Sequence, residues 1–180
     1  MPEAGASKSD ATVVPGLSET AALANLNLLG NRKPLTPLKL EIQRLDPSLP
    51  LPEYAYPGDA GLDLRAACDC TLLPGQRMPI PTALRLAIPE GYAGFVVPRS
   101  GLAARHGLSI VNTPGLIDSQ YRGEIVVLAV NHDTGKPIVI SKGDRVAQLV
   151  ILPVPLVKLV EVDELDETER NSRGFGSSGS

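Results

Sequence analysis

Residues 137–152, PIVISKGDRVAQLVIL, hold two apolar runs separated by the polar segment SKGD. PIVI and RVAQLVIL read as short strands, and SKGD supplies the turn chemistry between them. One residue breaks the pattern. Gln148 sits in an otherwise apolar strand, where a half-buried amide needs hydrogen-bond partners. A neighbouring group on an edge strand would satisfy it, and so would a ligand.

The same punctuation runs through most of the chain. LKLEIQR alternates, with Leu38, Leu40 and Ile42 on one face. GLDLRAA, TALRLAI, AGFVV, LSIVN, EIVVLAV and LVKLVEV read as further strands, with LPGQ, PEG, TPG and HDTGK as turns. No long helical period and no internal repeat survive in this region. Nine or ten short strands at such spacing predict an all-β sandwich, jelly roll or barrel.

A chain of 180 residues suits one domain with a real core and tails. With 43% hydrophobic and 21% charged residues it has a globular profile, and no apolar run is long enough to span a bilayer. The start, MPEAGASKSD, looks like neither a signal peptide nor a transit peptide, so the expected compartment is the cytoplasm. A net charge of −3 argues against general nucleic-acid binding, although clustered arginines can still hold a small anion. Cys68 and Cys70, in CDC, are badly spaced for a disulfide and lack partners for a structural zinc, since His106 and His132 lie far off in sequence. They read as reduced thiols.

Three segments are expected. Residues 1–36 form an N-terminal extension, disordered or loosely docked, in which LSETAALANLNLL offers a marginal helix with Ser18 as N-cap. Residues 37–163 form the β domain. Residues 164–180 run from acidic ELDETER into NSRGFGSSGS around Phe175, the composition of a flexible terminus.

The polar clusters are bland one at a time. NTPGLIDSQYRGE, residues 112–124, reads as a hairpin with Asp118 at its mouth, between a Pro-Gly turn and a strand, with Tyr121 and Arg122 beside it. PRSGLAARHG follows the apolar AGFVV, and SGLAAR reads as a helical turn capped by Ser100. Free N–H groups at that start, with Arg99 and Ser100, would attract an anion, although a capped surface turn explains the pattern as well. In GDAGLDLRAA, alternation sends Leu62 and Leu64 inward and Asp63 and Arg65 outward. An acid near a phosphate site would serve Mg²⁺ or its waters.

Taken in order, AGLDLRA, PRSGLA, GLIDSQYRGE, RVAQL and RNSRGFGSSG resemble the five motifs of the trimeric deoxyuridine triphosphatase family, across Leu38 to Gly179. The resemblance implies a distorted jelly roll, a barrel-like sandwich, assembled as a homotrimer whose sites draw motifs from neighbouring subunits. It implies hydrolysis of dUTP to dUMP and pyrophosphate with Mg²⁺, which keeps uracil out of DNA and supplies dUMP for thymidylate synthesis. Asp118 matches the acid that activates the water attacking the α-phosphorus. Asn112, Gly115, Leu116 and Ile117 match the uracil reader, Val126 a position contacting the base, and Tyr121 the ring against the deoxyribose. Arg99, Ser100 and Gly101 match the phosphate cradle, Gln148 the α-phosphate donor, and Asp63 the acid that orders waters on the metal. In the tail, Arg170 matches a γ-phosphate ligand and Phe175 a ring stacked on uracil. Asn171 and Arg173 stand where the family usually has glycine. The competing readings are a dCTP deaminase-type relative and a non-catalytic dUTP-sensing protein.

Overall fold

SKGD does turn the chain between two strands, but those strands belong to different layers. The computed structural model describes residues 37–168 and 171–172. Its elements are β1 (Glu41–Arg44), β2 (Leu62–Arg65), β3 (Cys70–Leu72), β4 (Arg77–Ala87), β5 (Tyr92–Pro98), α1 (Ser100–His106), β6 (Leu108–Ile110), β7 (Gly115–Ile117), β8 (Glu124–Asn131), β9 (Ile138–Ile140) and β10 (Arg145–Pro153). One sheet has the order β1-β4-β8-β6, a second β2-β10-β5-β7, and β3 and β9 form a separate ribbon. Every pairing is antiparallel. The fold is an antiparallel jelly-roll sandwich.

Alternation makes the core. In β8, Ile125, Val127 and Ala129 point inward and are almost fully buried. They meet Ile80, Leu84 and Leu86 of the same sheet and Leu64, Val96 and Leu149 of the other, while Leu72, Ile138 and Ile140 of the ribbon extend the cluster. A one-residue slip would turn these side chains out, so the pattern also sets the register. The outward residues of β8, Val126 and Leu128, are apolar too and stay exposed.

Pro79 and Pro81 lie within β4, a strand with neighbours on both sides. They are tolerated because β1 pairs only with Leu84–Ala87, so no strand lies on that side of the prolines, where the Ala67 N–H donates to the Pro81 carbonyl at 2.8 Å. Between these halves the ladder with β8 slips, and Ala83 takes φ 55. Glu124 holds this bulge: its Oε1 accepts the Ala83 N–H at 2.7 Å, and Thr82 Oγ1 donates to the Ile125 carbonyl at 2.7 Å. Glu124→Ala would strand a buried N–H, so the urea midpoint should fall by about 1–3 kcal/mol equivalent with the m-value unchanged. Glu124→Gln retains an acceptor and should lose much less.

One expected strand is missing. LVKLVEV, residues 156–162, pairs with nothing among the described residues, and Leu156 and Leu159 are about as exposed as a side chain can be, at 102% and 90%. β3 and β7, which went unread, are three-residue strands. Among the described residues no helix is long and apolar enough to cross a membrane. Cys68 and Cys70 are free, and burial, helped by Cys68 and Asp69, raises the Cys70 thiol above its ordinary pKa.

Candidate active site

The alternation of GLDLRAA placed Asp63 outward, yet the residue is only 5% exposed. Two arginines account for the difference. Arg99 Nε donates to Asp63 Oδ1 at 3.0 Å and Arg145 Nη1 to Oδ2 at 3.2 Å. A second nitrogen of Arg99 reaches the Arg145 carbonyl at 3.4 Å. A buried carboxylate is tolerated when paired in this way. One negative charge against two guanidiniums leaves the cluster net positive, with both arginines still partly exposed.

Register gathers the rest. On β10, Gln148 stands opposite Asp63 of β2 on one side and Val97 of β5 on the other. Two residues past Val97 the chain reaches Arg99 and then α1. The helix begins at Ser100 itself with Arg99 as N-cap, and no side chain caps it, so Ser100 does not have the capping role expected of it. The exposed Ser100 hydroxyl and the Gly101 backbone stand beside the arginine cluster. Gly107 ends α1 with φ 66, and a Cβ there would come within 2.8 Å of the Asp133 nitrogen, so only glycine fits.

A second group of the expected site residues lies on the other side of β5. β7 pairs with β5 through Val96↔Gly115, Phe95↔Leu116 and Gly94↔Ile117, and it is the last strand of its sheet. Its outer edge therefore presents backbone donors and acceptors with no ladder partner. The Asn112 amide lies beside Gly115, within 3.4 Å of where a Cβ there would be. Asp118 follows β7 directly and is exposed. The chain then crosses to the other sheet to start β8, so the motif is a sheet-to-sheet crossing and not a hydrogen-bonded hairpin. Arg122 Nη1 ties this turn through the carbonyls of Ser119 and Tyr121. The Tyr121 ring lies over Gly123, in space a side chain there would fill, and its hydroxyl donates to the Glu124 carbonyl at 3.0 Å. Val126 projects outward from β8.

The two groups do not meet within one chain. By register, Ile117 is three residues along β5 and two strands across from Gln148, about 10 Å in each direction. Asp118 is farther still. Arg170 and Phe175 lie outside the described residues. Asn171 has φ 45, a left-handed angle that asparagine tolerates, and its N–H donates to Thr168 Oγ1. Sequence reasoning missed Arg145, although GDRVAQL places it three residues before Gln148 and a charge at the mouth of an apolar strand was the available signal.

A family model described as dUTPase matches residues 48–179. The chain belongs to the dUTPase family. Over 142 residues it is 55% identical to the deoxyuridine 5'-triphosphate nucleotidohydrolase of Thermobifida fusca, covering 79% of each chain. The enzyme of that name from Gloeobacter violaceus is 55% identical over 147 residues, covering 81% of this chain and 99% of the relative. Among solved structures, a variant of the Staphylococcus bacteriophage 80alpha dUTPase with dUpNHpp superposes with TM-score 0.73 at 30% identity, over 79% of this chain and 99% of that one. A variant of the phage phi11 dUTPase, described with a structural Mg(II) ion, gives TM-score 0.67 at 28% identity, over 72% and 100%. The two phage dUTPases share this chain's sandwich.

Proposed function

We propose that the protein hydrolyses dUTP to dUMP and pyrophosphate, with the uracil side of the site on the β7 edge and the phosphate side on the Asp63–Arg99–Arg145–Gln148 cluster. The observation that carries the reading is the edge strand that leads directly into an exposed carboxylate. The free edge of Gly115–Ile117, with the Asn112 amide beside it, matches a flat base whose edge alternates carbonyl acceptors with an N–H donor. Cytosine carries an amine and a ring acceptor at two of those positions and would leave strand groups unpaired. The Tyr121 ring, backed by Gly123, offers a surface for a sugar without a 2′-hydroxyl.

Asp118 then takes a proton from a water as its oxygen bonds to the α-phosphorus. The bond to the bridging oxygen breaks, and pyrophosphate leaves with that electron pair. Gln148, Ser100 and the Gly101 backbone hold phosphate oxygens, and the net positive arginine cluster stabilises the charge. Asp63 acts first by fixing both arginines.

Among the described residues no cluster of three His, Cys, Asp or Glu side chains could cage a metal, which fits a Mg²⁺ ion that arrives with the triphosphate. Each Asp63 oxygen accepts one arginine bond and keeps a lone pair for a metal-bound water, so Asp63 would hold the ion only through that water. When bound, Mg²⁺ would neutralise phosphate charge and help align the chain for in-line displacement.

The separation of the two groups supports a homotrimer in which the uracil side of one subunit meets the phosphate side of the next. Unpartnered apolar surface supports it as well. A groove of about 390 Å³ lined by Met78, Pro79, Val111 and Leu128 opens beside the exposed face of β8, and residues 154–162 carry a run of exposed Val and Leu. The reaction belongs in the cytoplasm, where free thiols such as Cys68 and Cys70 persist.

The C-terminal arm completes the reading, with Arg170 on the γ-phosphate and Phe175 stacked on uracil. Stacking of this kind is worth roughly 1–3 kcal/mol. The chain has no tryptophan, so Phe175→Trp adds a single indole, whose emission should change when a non-hydrolysable dUTP analogue binds with Mg²⁺. An unchanged signal at saturation would remove Phe175 from the site.

The test of function is pyrophosphate release from dUTP with Mg²⁺. Ammonia from dCTP would favour a deaminase, and dUTP binding without turnover a sensor.

A further inference from the structure

Gly61 is buried immediately before β2, and its φ is not positive, so its backbone does not demand glycine. Its surroundings do. A Cβ at Gly61 would lie 3.2 Å from Gln148 Cβ and 3.4 Å from both Cδ and Nε2. The Gln148 side chain is therefore laid along the bare Gly61 backbone from its stem to its amide nitrogen. Among the described residues no hydrogen bond holds that amide, so packing against Gly61 sets where it points.

We propose that Gly61 is a positioning residue for the reaction, a shelf that aims the Gln148 amide at the α-phosphate. The proposal rests on the reading of Gln148 as a phosphate donor. A methyl group at position 61 would meet Gln148 first and move its amide by a few tenths of an ångström, while the β7 edge of the same chain lies three strands from β2. Misplacement by about 1 Å can cost about 10²-fold, so Gly61→Ala should lower kcat by about 5- to 10-fold with KM changed less than about twofold.

The experiment compares Gly61→Ala, Gln148→Ala and the double variant, with kcat and KM for dUTP and a urea unfolding curve for each. If Gly61 acts through Gln148, the double variant has the kcat of Gln148→Ala alone. Losses that multiply, or a wild-type kcat in Gly61→Ala, would overturn the Gly61 proposal alone. A silent Gln148→Ala would instead retire the donor reading, and the Gly61 proposal with it. Should Gly61→Ala not fold, Gln148→Asn carries the test, because its amide is one methylene short of the shelf. Its kcat should fall as far as that of Gln148→Ala, and a wild-type kcat there would show that the amide's position is immaterial.

Discussion

Asp118→Asn is expected to fold, bind dUTP and lose at least about 10²-fold in kcat. The carboxylate makes no hydrogen bond to another described residue, and it is exposed at the end of β7. Exchange for a near-isosteric amide should therefore change stability by no more than about 0.5 kcal/mol. What the amide cannot do is accept a proton from water. Phosphate contacts are untouched, so KM should stay within a few-fold while kcat falls. Single-turnover chemistry with a saturating enzyme separates this from slow product release. A near-wild-type rate would take Asp118 out of the proton-transfer role.

Base selectivity should be larger still. A strand edge that hydrogen-bonds uracil leaves its own backbone groups unpaired when cytosine is present, and mismatch of this kind in a tight polar site discriminates by about 10⁴–10⁵. The ratio of kcat/KM for dUTP over dCTP should fall in that range. UTP should be rejected at the Tyr121 ring and dTTP by the closeness of the β7 backbone to the base. Comparable turnover of dCTP and dUTP would show that the β7 edge does not read the base.

The long strands were legible because their apolar runs are long and bounded by turn residues, with clear alternation in TALRLAI: RVAQLVIL, TALRLAI and EIVVLAV became β10, part of β4 and β8. β3 and β7 were not: β6 and β9 are equally short but sit in the apolar runs LSIVN and PIVI, whereas CTL and GLI adjoin turn residues and form no such run. LVKLVEV shows what a short apolar run can and cannot say. It signals an apolar segment, but no partner that would bury it is found among the described residues of one copy. The site divides in the same way. Asp118 and Gln148 stood out as polar residues in apolar contexts, whereas the burial of Asp63 did not, since it depends on Arg99 and Arg145, which are remote in sequence. The shelf at Gly61 was equally invisible, because a glycine's neighbours across a sheet are set by register alone.

The most direct test of the account is hydrolysis of dUTP in ¹⁸O-enriched water with Mg²⁺, followed by mass analysis of both products. Attack at the α-phosphorus, with Asp118 accepting the proton, predicts one ¹⁸O in dUMP and unlabelled pyrophosphate. Label in the pyrophosphate, or release of orthophosphate in its place, would mean that water strikes elsewhere and would contradict the mechanism.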